Sequence, residues 1–426
     1  MQIKDLYQLF LLNPHVETDS RKIKPGDIFF ALKGPNYNGN QFCKQALQAG
    51  ASYCVADENH HSHDDRIIVV PDSLETLQQL AKKHRQQFTI PFIAITGSNG
   101  KTTTKELIHQ VLSTEYVCYT TEGNLNNHIG IPLTILRVQK NAEIAVIEMG
   151  ANHQHEIEAY CEYTMPTHGI ITNVGKAHLE GFGGEKGVLK GKAELFDSIR
   201  KTGGTAFVNN DYDYLKMLTP GIASVITYGS KDAEFMGNII NESYFLEVGI
   251  TKGASIPSIK TRLIGNYNCS NIIIAVCVGK TFGVEDKNIK LALENYSPVN
   301  SRSQLIERKS NIIILDAYNA NPSSMKVAIE NFAKMKGSQK VLILGSMMEL
   351  GIESENEHAE IVRLITTYGW HKVVLVGLYD KLPAGFIHFH TSAEVTEWIK
   401  VHDFKNTCFL IKGSRSMKME KVLEGF

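Results

Sequence analysis

One segment limits what this chain can fold into more than any other: Phe92-Ile93-Ala94-Ile95-Thr96 runs directly into Gly97-Ser98-Asn99-Gly100-Lys101-Thr102-Thr103-Thr104. A β-prone run with no polar alternation reads as a strand covered on both faces, which belongs in a sheet flanked by helices. Apolar spacing after Lys101 predicts an amphipathic helix to Leu112. The two glycines let backbone N–H groups of Ser98 and Asn99 turn inward around phosphate oxygens, and the helix N-terminus adds partial positive charge. Lys101 would neutralise the outer phosphates and Thr102 would offer its hydroxyl to Mg²⁺, with Thr103 beside it on the cofactor side. The spacing is the shorter Gly-x-x-Gly-Lys-Thr form, because Ile95 stands where the longer pattern has its first glycine. An Asn-Lys-x-Asp guanine reader is absent from the sequence, which argues against switch and motor GTPases.

The rest of the chain fits an α/β reading in three domains. Its 426 residues are about three times the roughly 150 of a typical domain. Residues 1–88 open with helical spacing at Ile3, Leu6, Tyr7, Phe10 and Leu11 and continue as short β runs, Asp27 to Leu32 and Ala51 to Val55, with helices at Phe42 to Ala49 and Ser73 to Gln87. Residues 89–300 alternate strands (Ile144 to Ile147, Gly169 to Val174, Ala206 to Val208) with helices, notably Gly187 to Arg200. Such alternation predicts a parallel, doubly wound sheet with ligands at the carboxyl ends of its strands. A second series over 301–426 (Ile312 to Leu315, Val341 to Leu344, Val373 to Val376, Phe409 to Ile411) predicts a Rossmann-like C-terminal domain.

The 44 Lys and Arg nearly cancel the 45 Asp and Glu, so no general field holds a nucleic acid or an anionic bilayer. No apolar run approaches the ~20 residues of a membrane span. Seven cysteines without a Cys-x-x-Cys pair read as reduced core thiols of a cytoplasmic protein; the chain is expected to be a monomer. The histidines His60, His61 and His63 read as a solvated loop rather than a metal site, since no partner ligand recurs at metal spacing.

Two further residues stand out by position. Glu148 ends the apolar run Ile144 to Ile147, where a metal-binding carboxylate belongs in a doubly wound sheet. Lys192 falls at the centre of the apolar stripe Val188, Leu195, Phe196 and Ile199, where a bare ammonium is costly. A snorkelling stem and a functional amine are both open readings there.

The segment Thr96 to Thr104 resembles the ATP loop of the Mur ligase family, the ATP-dependent amide-forming enzymes of peptidoglycan precursor synthesis. The likeness extends along the chain. Asp19-Ser20-Arg21 and Lys24-Pro25-Gly26-Asp27 to Gly34 resemble a small UDP-substrate domain. Gly123-Asn124-Leu125-Asn126-Asn127-His128-Ile129-Gly130, Asp316 to Met325, Leu344 to Gly351 and Lys412 to Met417 resemble the branch that adds D-alanyl-D-alanine to UDP-N-acetylmuramoyl-tripeptide.

The resemblance implies roles residue by residue. Ser20 and Arg21 would contact the uridine-side substrate, and Asn124, Asn126, Asn127, Tyr318 and Asn319 the peptide and dipeptide. Lys101, Glu148, His178, Lys192 and Arg302 would form the catalytic set. His178 and a carbamylated Lys192 would hold a second Mg²⁺. Asn268 and Asn271 would lie at the adenine, Arg302 at the phosphates and Asp316 at the ribose. Turn formation remains open for the three loop asparagines, as does helix capping for Asn268. The chain departs from the family pattern at Asn38-Gly39-Asn40, where Asp-Gly-His is usual, at Ser346, where an acid is usual, and at Tyr267, where a His is usual.

Overall fold

A computed structural model describes residues 1–58, 64–242, 244–299, 301–337, 339–380 and 382–426. The histidine run at 60–63 lies outside the described residues. Among them three main sheets occur in chain order, each wrapped by helices. The first is a 4-stranded sheet of Val16–Glu17, Ile28–Phe30, Tyr53–Ala56 and Ile67–Val69, all parallel. Ile28, Phe29 and Phe30 are all buried, because helices cover both of its faces.

The second sheet has nine strands. Phe92–Thr96 is buried at every residue and sits between Ile144–Glu148 and His168–Ile171, parallel to both. The chain fills one side of this strand first and then crosses to the other, so its carboxyl end is the point where strand order reverses. That is where a doubly wound sheet opens a crevice. The parallel reading holds as far as Phe235–Glu242, which then pairs antiparallel with Leu246–Lys252. Sequence patterning missed these outer strands because their alternation is broken by bulges near Gly237 and Ile240. The apolar run Ile272 to Gly279 forms the buried middle of the helix Cys269–Thr281, which packs on the helix Lys101–Leu112.

The third sheet is 6-stranded, parallel except for Gln304–Arg308 against Asn311–Asp316. Asp316 and Lys412, the last residues of neighbouring strands, stand opposite one another. No described helix is long and apolar enough to cross a membrane.

The joint between the first and second sheets is heavily bonded. Arg85 donates to the carbonyls of Thr164 (2.8 Å) and Met165 (2.9 Å) and lies 3.8 Å over the Phe92 ring. His84 Nε2 donates to the Val138 carbonyl (2.8 Å), so its Nδ1 accepts from the Tyr7 hydroxyl at 3.1 Å. Burial holds both His84 and Arg85 below their ordinary pKa values, Arg85 to about 10.

The expectation of reduced thiols fails for Cys43 and Cys54, which are joined in a disulfide with Cα atoms 5.9 Å apart. The helix Cys43–Gln48 packs on the strand Tyr53–Ala56, and both thiols face the same closed core. Sequence spacing did not reveal a pair made by helix-on-strand packing. Cys118, Cys161, Cys269, Cys277 and Cys408 are free, with Cys118 and Cys269 only half-buried.

Glycine shapes the corner that carries the helix Glu185–Thr202. A Cβ on Gly187 would lie 1.8 Å from the Phe182 carbonyl oxygen, and one on Gly191 2.4 Å from the Phe182 ring. Helix propensity alone favours alanine over glycine by ~1 kcal/mol. A backbone collision outweighs that, so Gly187→Ala is expected to destabilise by about 1–3 kcal/mol. An unchanged denaturant midpoint for this variant would show that the corner yields freely.

Candidate active site

The phosphate loop is bonded to the segment that follows the neighbouring strand. Ser98 and Asn99 donate their N–H groups to the carbonyl (2.9 Å) and side-chain oxygen (3.0 Å) of Asn173. Thr172 Oγ1 and Asn173 Nδ2 donate back to the Asn99 carbonyl at 2.6 and 3.0 Å. The Ser98 hydroxyl bridges the Gly175 N–H and carbonyl at 2.9 and 3.0 Å. Gly97 has φ 142° and Gly100, capping the helix, φ 78°, and a Cβ on Gly97 would meet Thr172 Oγ1 at 2.0 Å. Thr172 and Asn173 were hidden in the sequence because the apolar pattern carries the strand to Val174. The strand in fact ends at Ile171, which frees both side chains for the loop.

Lys101 folds its ammonium onto the Gly97 carbonyl at 2.6 Å. Burial lowers its pKa from the ordinary lysine value, against an opposing pull from Glu148. Thr102 Oγ1 donates to Glu148 Oε1 at 3.0 Å, and Thr103 is half-buried on the next helical position. Glu148 is 1% exposed, and its N–H donates to Thr121 Oγ1 at 3.0 Å. Its Oε1 also accepts from Asn126 Nδ2 at 2.8 Å, while Oε2 is buried without a hydrogen-bond partner. An orphaned carboxylate oxygen beside a threonine hydroxyl, at the mouth of a phosphate loop, suits a hard divalent cation.

Asn126 therefore points at the carboxylate rather than into an open cleft. Asn127 accepts from the Ile129 and Gly130 N–H groups at 3.2 and 2.9 Å and so shapes the turn, while Asn124 is exposed.

Lys192 is 1% exposed, as its place in the stripe requires, with Nζ donating to the Ala151 carbonyl at 3.2 Å and lying 5.0 Å from the Phe182 ring centre. Burial holds its amine well below the ordinary lysine range, and Lys101 pushes the same way. The snorkelling reading fails, since the head as well as the stem is covered.

His178 caps the short helix Leu179–Phe182, and its Nδ1 meets Glu349 Oε2 from the third sheet's domain. That contact lowers the Glu349 pKa from the ordinary value.

Asn268 and Asn271 are buried and turned inward. Thr104 Oγ1 donates to Asn271 Oδ1 (3.1 Å), Asn271 Nδ2 to Asn268 Oδ1 (2.9 Å), and Asn268 Nδ2 to the Ile264 carbonyl (2.8 Å). Both amides thus brace the phosphate-loop helix. The Asn268 side chain makes no capping bond to its helix.

Arg302 stacks 3.6 Å over the Tyr318 ring. Asp316 Oδ1 accepts from the Ser303 N–H at 3.1 Å, and Oδ2 pairs with the buried Lys412 at 2.7 Å. Lys412 also donates to the Asn319 carbonyl at 3.0 Å, which ties Asp316 to the loop that presents exposed Asn319. Tyr267, at one of the departures from the family pattern, reaches across the domain joint to Ser303 Oγ at 2.6 Å. Asn321 Nδ2 donates to Asn99 Oδ1 at 2.9 Å while its Oδ1 caps the helix Pro322–Lys334. Ser20 is half-buried and Arg21 exposed on the first domain, where Arg21 pairs with Asp19 at 2.8 Å and lowers its pKa to about 2.

Comparison with known proteins agrees with this geometry. Family models match in three consecutive parts: the Mur ligase family catalytic domain over 14–85, the Mur ligase middle domain over 95–279 and the Mur ligase glutamate ligase domain over 301–415. The UDP-N-acetylmuramoyl-tripeptide--D-alanyl-D-alanine ligase of Bacillus subtilis is 33% identical, across 96% of this chain and 92% of its own. The crystal structure of MurF from Acinetobacter baumannii superposes with a TM-score of 0.89 at 28% identity, covering 98% of this chain and 97% of that one. MurF from Thermotoga maritima, solved in complex with ADP, gives 0.87 at 27% identity with the same coverage. With relatives of this similarity along nearly its whole length, and a phosphate loop facing a buried carboxylate at the strand-order reversal, the chain belongs to the Mur ligase family.

Proposed function

We propose that this protein is an ATP-dependent amide ligase that adds D-alanyl-D-alanine to UDP-N-acetylmuramoyl-tripeptide in cytoplasmic peptidoglycan precursor synthesis. Residues 1–88 would hold the uridine end, 89–300 the ATP and metal, and 301–426 the incoming dipeptide. The observation that carries the reading is Asn321 of the third domain bonded to Asn99 of the phosphate loop. It supports the reading because the third domain, which would hold the dipeptide, touches the phosphate loop, as consecutive transfers between the two would require. The relatives supply the substrate class: the Bacillus subtilis enzyme carries this activity in its name.

A carboxylate has no adequate leaving group for amide formation. Transfer of the ATP γ-phosphoryl group to the tripeptide carboxylate makes an acyl phosphate and ADP. The dipeptide amine then attacks the carbonyl carbon, the C–N bond forms, phosphate leaves with the C–O bond pair, and the amine loses a proton. Phosphoryl transfer depends on position and charge, so Lys101 and Arg302 neutralise the phosphates at the N-terminus of the helix that follows Gly100, while the Ser98 and Asn99 N–H groups, expected to cradle phosphate, instead hold the loop to Asn173. Mg²⁺, held by Thr102 and Glu148, would draw charge from the phosphate oxygens. A carbamate on Lys192 would give His178 a partner oxygen ligand for a second Mg²⁺. Burial shifts Lys192 toward the neutral amine, the form that adds CO₂. Contact between the second and third domains keeps water from the acyl phosphate.

Release of ADP should need ATP, Mg²⁺, the UDP-tripeptide and D-alanyl-D-alanine together. Full-rate release without the muramoyl substrate in a coupled assay would contradict the ligase reading. Lys101→Ala should lose at least ~100-fold in turnover, the scale for removing one preorganised charge contact, with an unchanged melting temperature. Lys192→Ala should lose most activity yet keep nucleotide binding, and a short carboxylic acid should restore part of it. Rescue by small amines alone would point to an ammonium role instead.

A further inference from the structure

The segment 175–182 of the central domain is gripped from the third domain at several points. The Lys176 N–H donates to Ser323 Oγ at 2.9 Å, and its ammonium pairs with Glu357 at 2.6 Å. Glu349 meets the same segment twice: its carboxylate lies against His178 Nδ1, and its carbonyl accepts the Glu180 N–H at 3.3 Å. Gly351 packs just behind, where a Cβ would stand 3.1 Å from the Glu180 Cβ.

Both partners hold unusual backbone conformations. His178 has φ 52° and Glu349 φ 63°, in the left-handed region that non-glycine residues rarely adopt. Each persists because its surroundings fix it, so the pairing is not a chance meeting of flexible side chains. A histidine that ligates a metal with one ring nitrogen almost always has the other held by a carboxylate or carbonyl, which sets the ring's orientation and raises its basicity. Here Nδ1 is the nitrogen that lies against a carboxylate, in close contact but without an aligned hydrogen bond, and Nε2 is the one left for a ligand. The orienting carboxylate comes from a different domain.

We propose that Glu349 is a positioning residue for His178, delivered by the third domain, so that the second metal site is complete only when that domain is docked. The inference rests on the ligase reading and extends it. A nucleotide bound to the open molecule would meet Thr102 and Glu148 but not an oriented His178, and commitment of the carboxylate to phosphorylation would await closure.

Mn²⁺ titration followed by electron paramagnetic resonance, on the full chain with a non-hydrolysable ATP analogue, the UDP-tripeptide and bicarbonate, reads both metal sites directly. Glu349→Gln should weaken the second Mn²⁺ about tenfold, the lower end of the effect of removing an orienting partner, and leave the first unchanged. Glu357→Gln removes a partly exposed closing ion pair and should alter the second site by no more than about threefold. Equal weakening by both variants would assign Glu349 to docking alone and overturn the proposal, as would parental affinity in Glu349→Gln. Product formation is measured on the same preparations. A parent protein that makes product while holding a single Mn²⁺ overturns this inference alone, whereas one that makes no product overturns the ligase reading and the inference with it.

Discussion

The bonds from Thr172 and Asn173 to the backbone of Ser98 and Asn99 are the constraint on which the nucleotide end depends. A glycine loop is conformationally permissive, and left alone it would lose the preorganisation that phosphate recognition needs. Two residues just beyond the neighbouring strand His168–Ile171 remove that freedom by engaging the Asn99 carbonyl and the Ser98 and Asn99 N–H groups. The close approach this requires is also why Gly97 cannot carry a side chain. On the opposite flank Thr104, Asn271 and Asn268 brace the helix, so the loop is fixed from both directions.

The central fold was legible because its signals are local. The strand Phe92–Thr96 and the helix Lys101–Leu112 occur with the bounds the sequence predicts, since a buried run and a glycine turn admit few alternatives. The burial of Lys192 followed from 3.6-residue periodicity alone. What stayed hidden depends on contacts distant in sequence. Asn126 reads as a turn former or substrate contact until Glu148 is brought beside it. Asn268 and Asn271 read as cap or base contacts until Thr104 stands opposite them. The Cys43–Cys54 bond arises only when a helix lies on its strand.

Departures from the family pattern acquire physical reasons in the structure. Ser346 is fully buried and its hydroxyl donates to the Val376 carbonyl at 3.0 Å, a bond that an ionised carboxylate cannot make. Asn40 donates to Asp57 at 2.7 Å and accepts its N–H at 3.1 Å, so neutral amide chemistry serves both directions. Tyr267 has the length to cross the domain joint and bond Ser303, beside the left-handed residues Ser301 and Ser303.

The two joints of the molecule are built differently, and the difference acts on whole substrates. Arg85 spends its guanidinium on three carbonyls and an aromatic face, and His84 locks the same helix to Val138. The joint near Ser301 carries the Tyr267–Ser303 bond, and the third domain otherwise meets the second through separate side-chain contacts, Asn321 with Asn99 and Lys176 with Ser323 and Glu357. The first domain is therefore pinned to the second by bonds to its backbone. If the uridine end lies on the first sheet and the reacting carboxylate near Glu148, the span between them is a fixed gauge. A peptide one residue shorter or longer would bind its nucleotide end equally well and still present its terminus at the wrong depth, so selection by length needs no side chain that reads the missing residue.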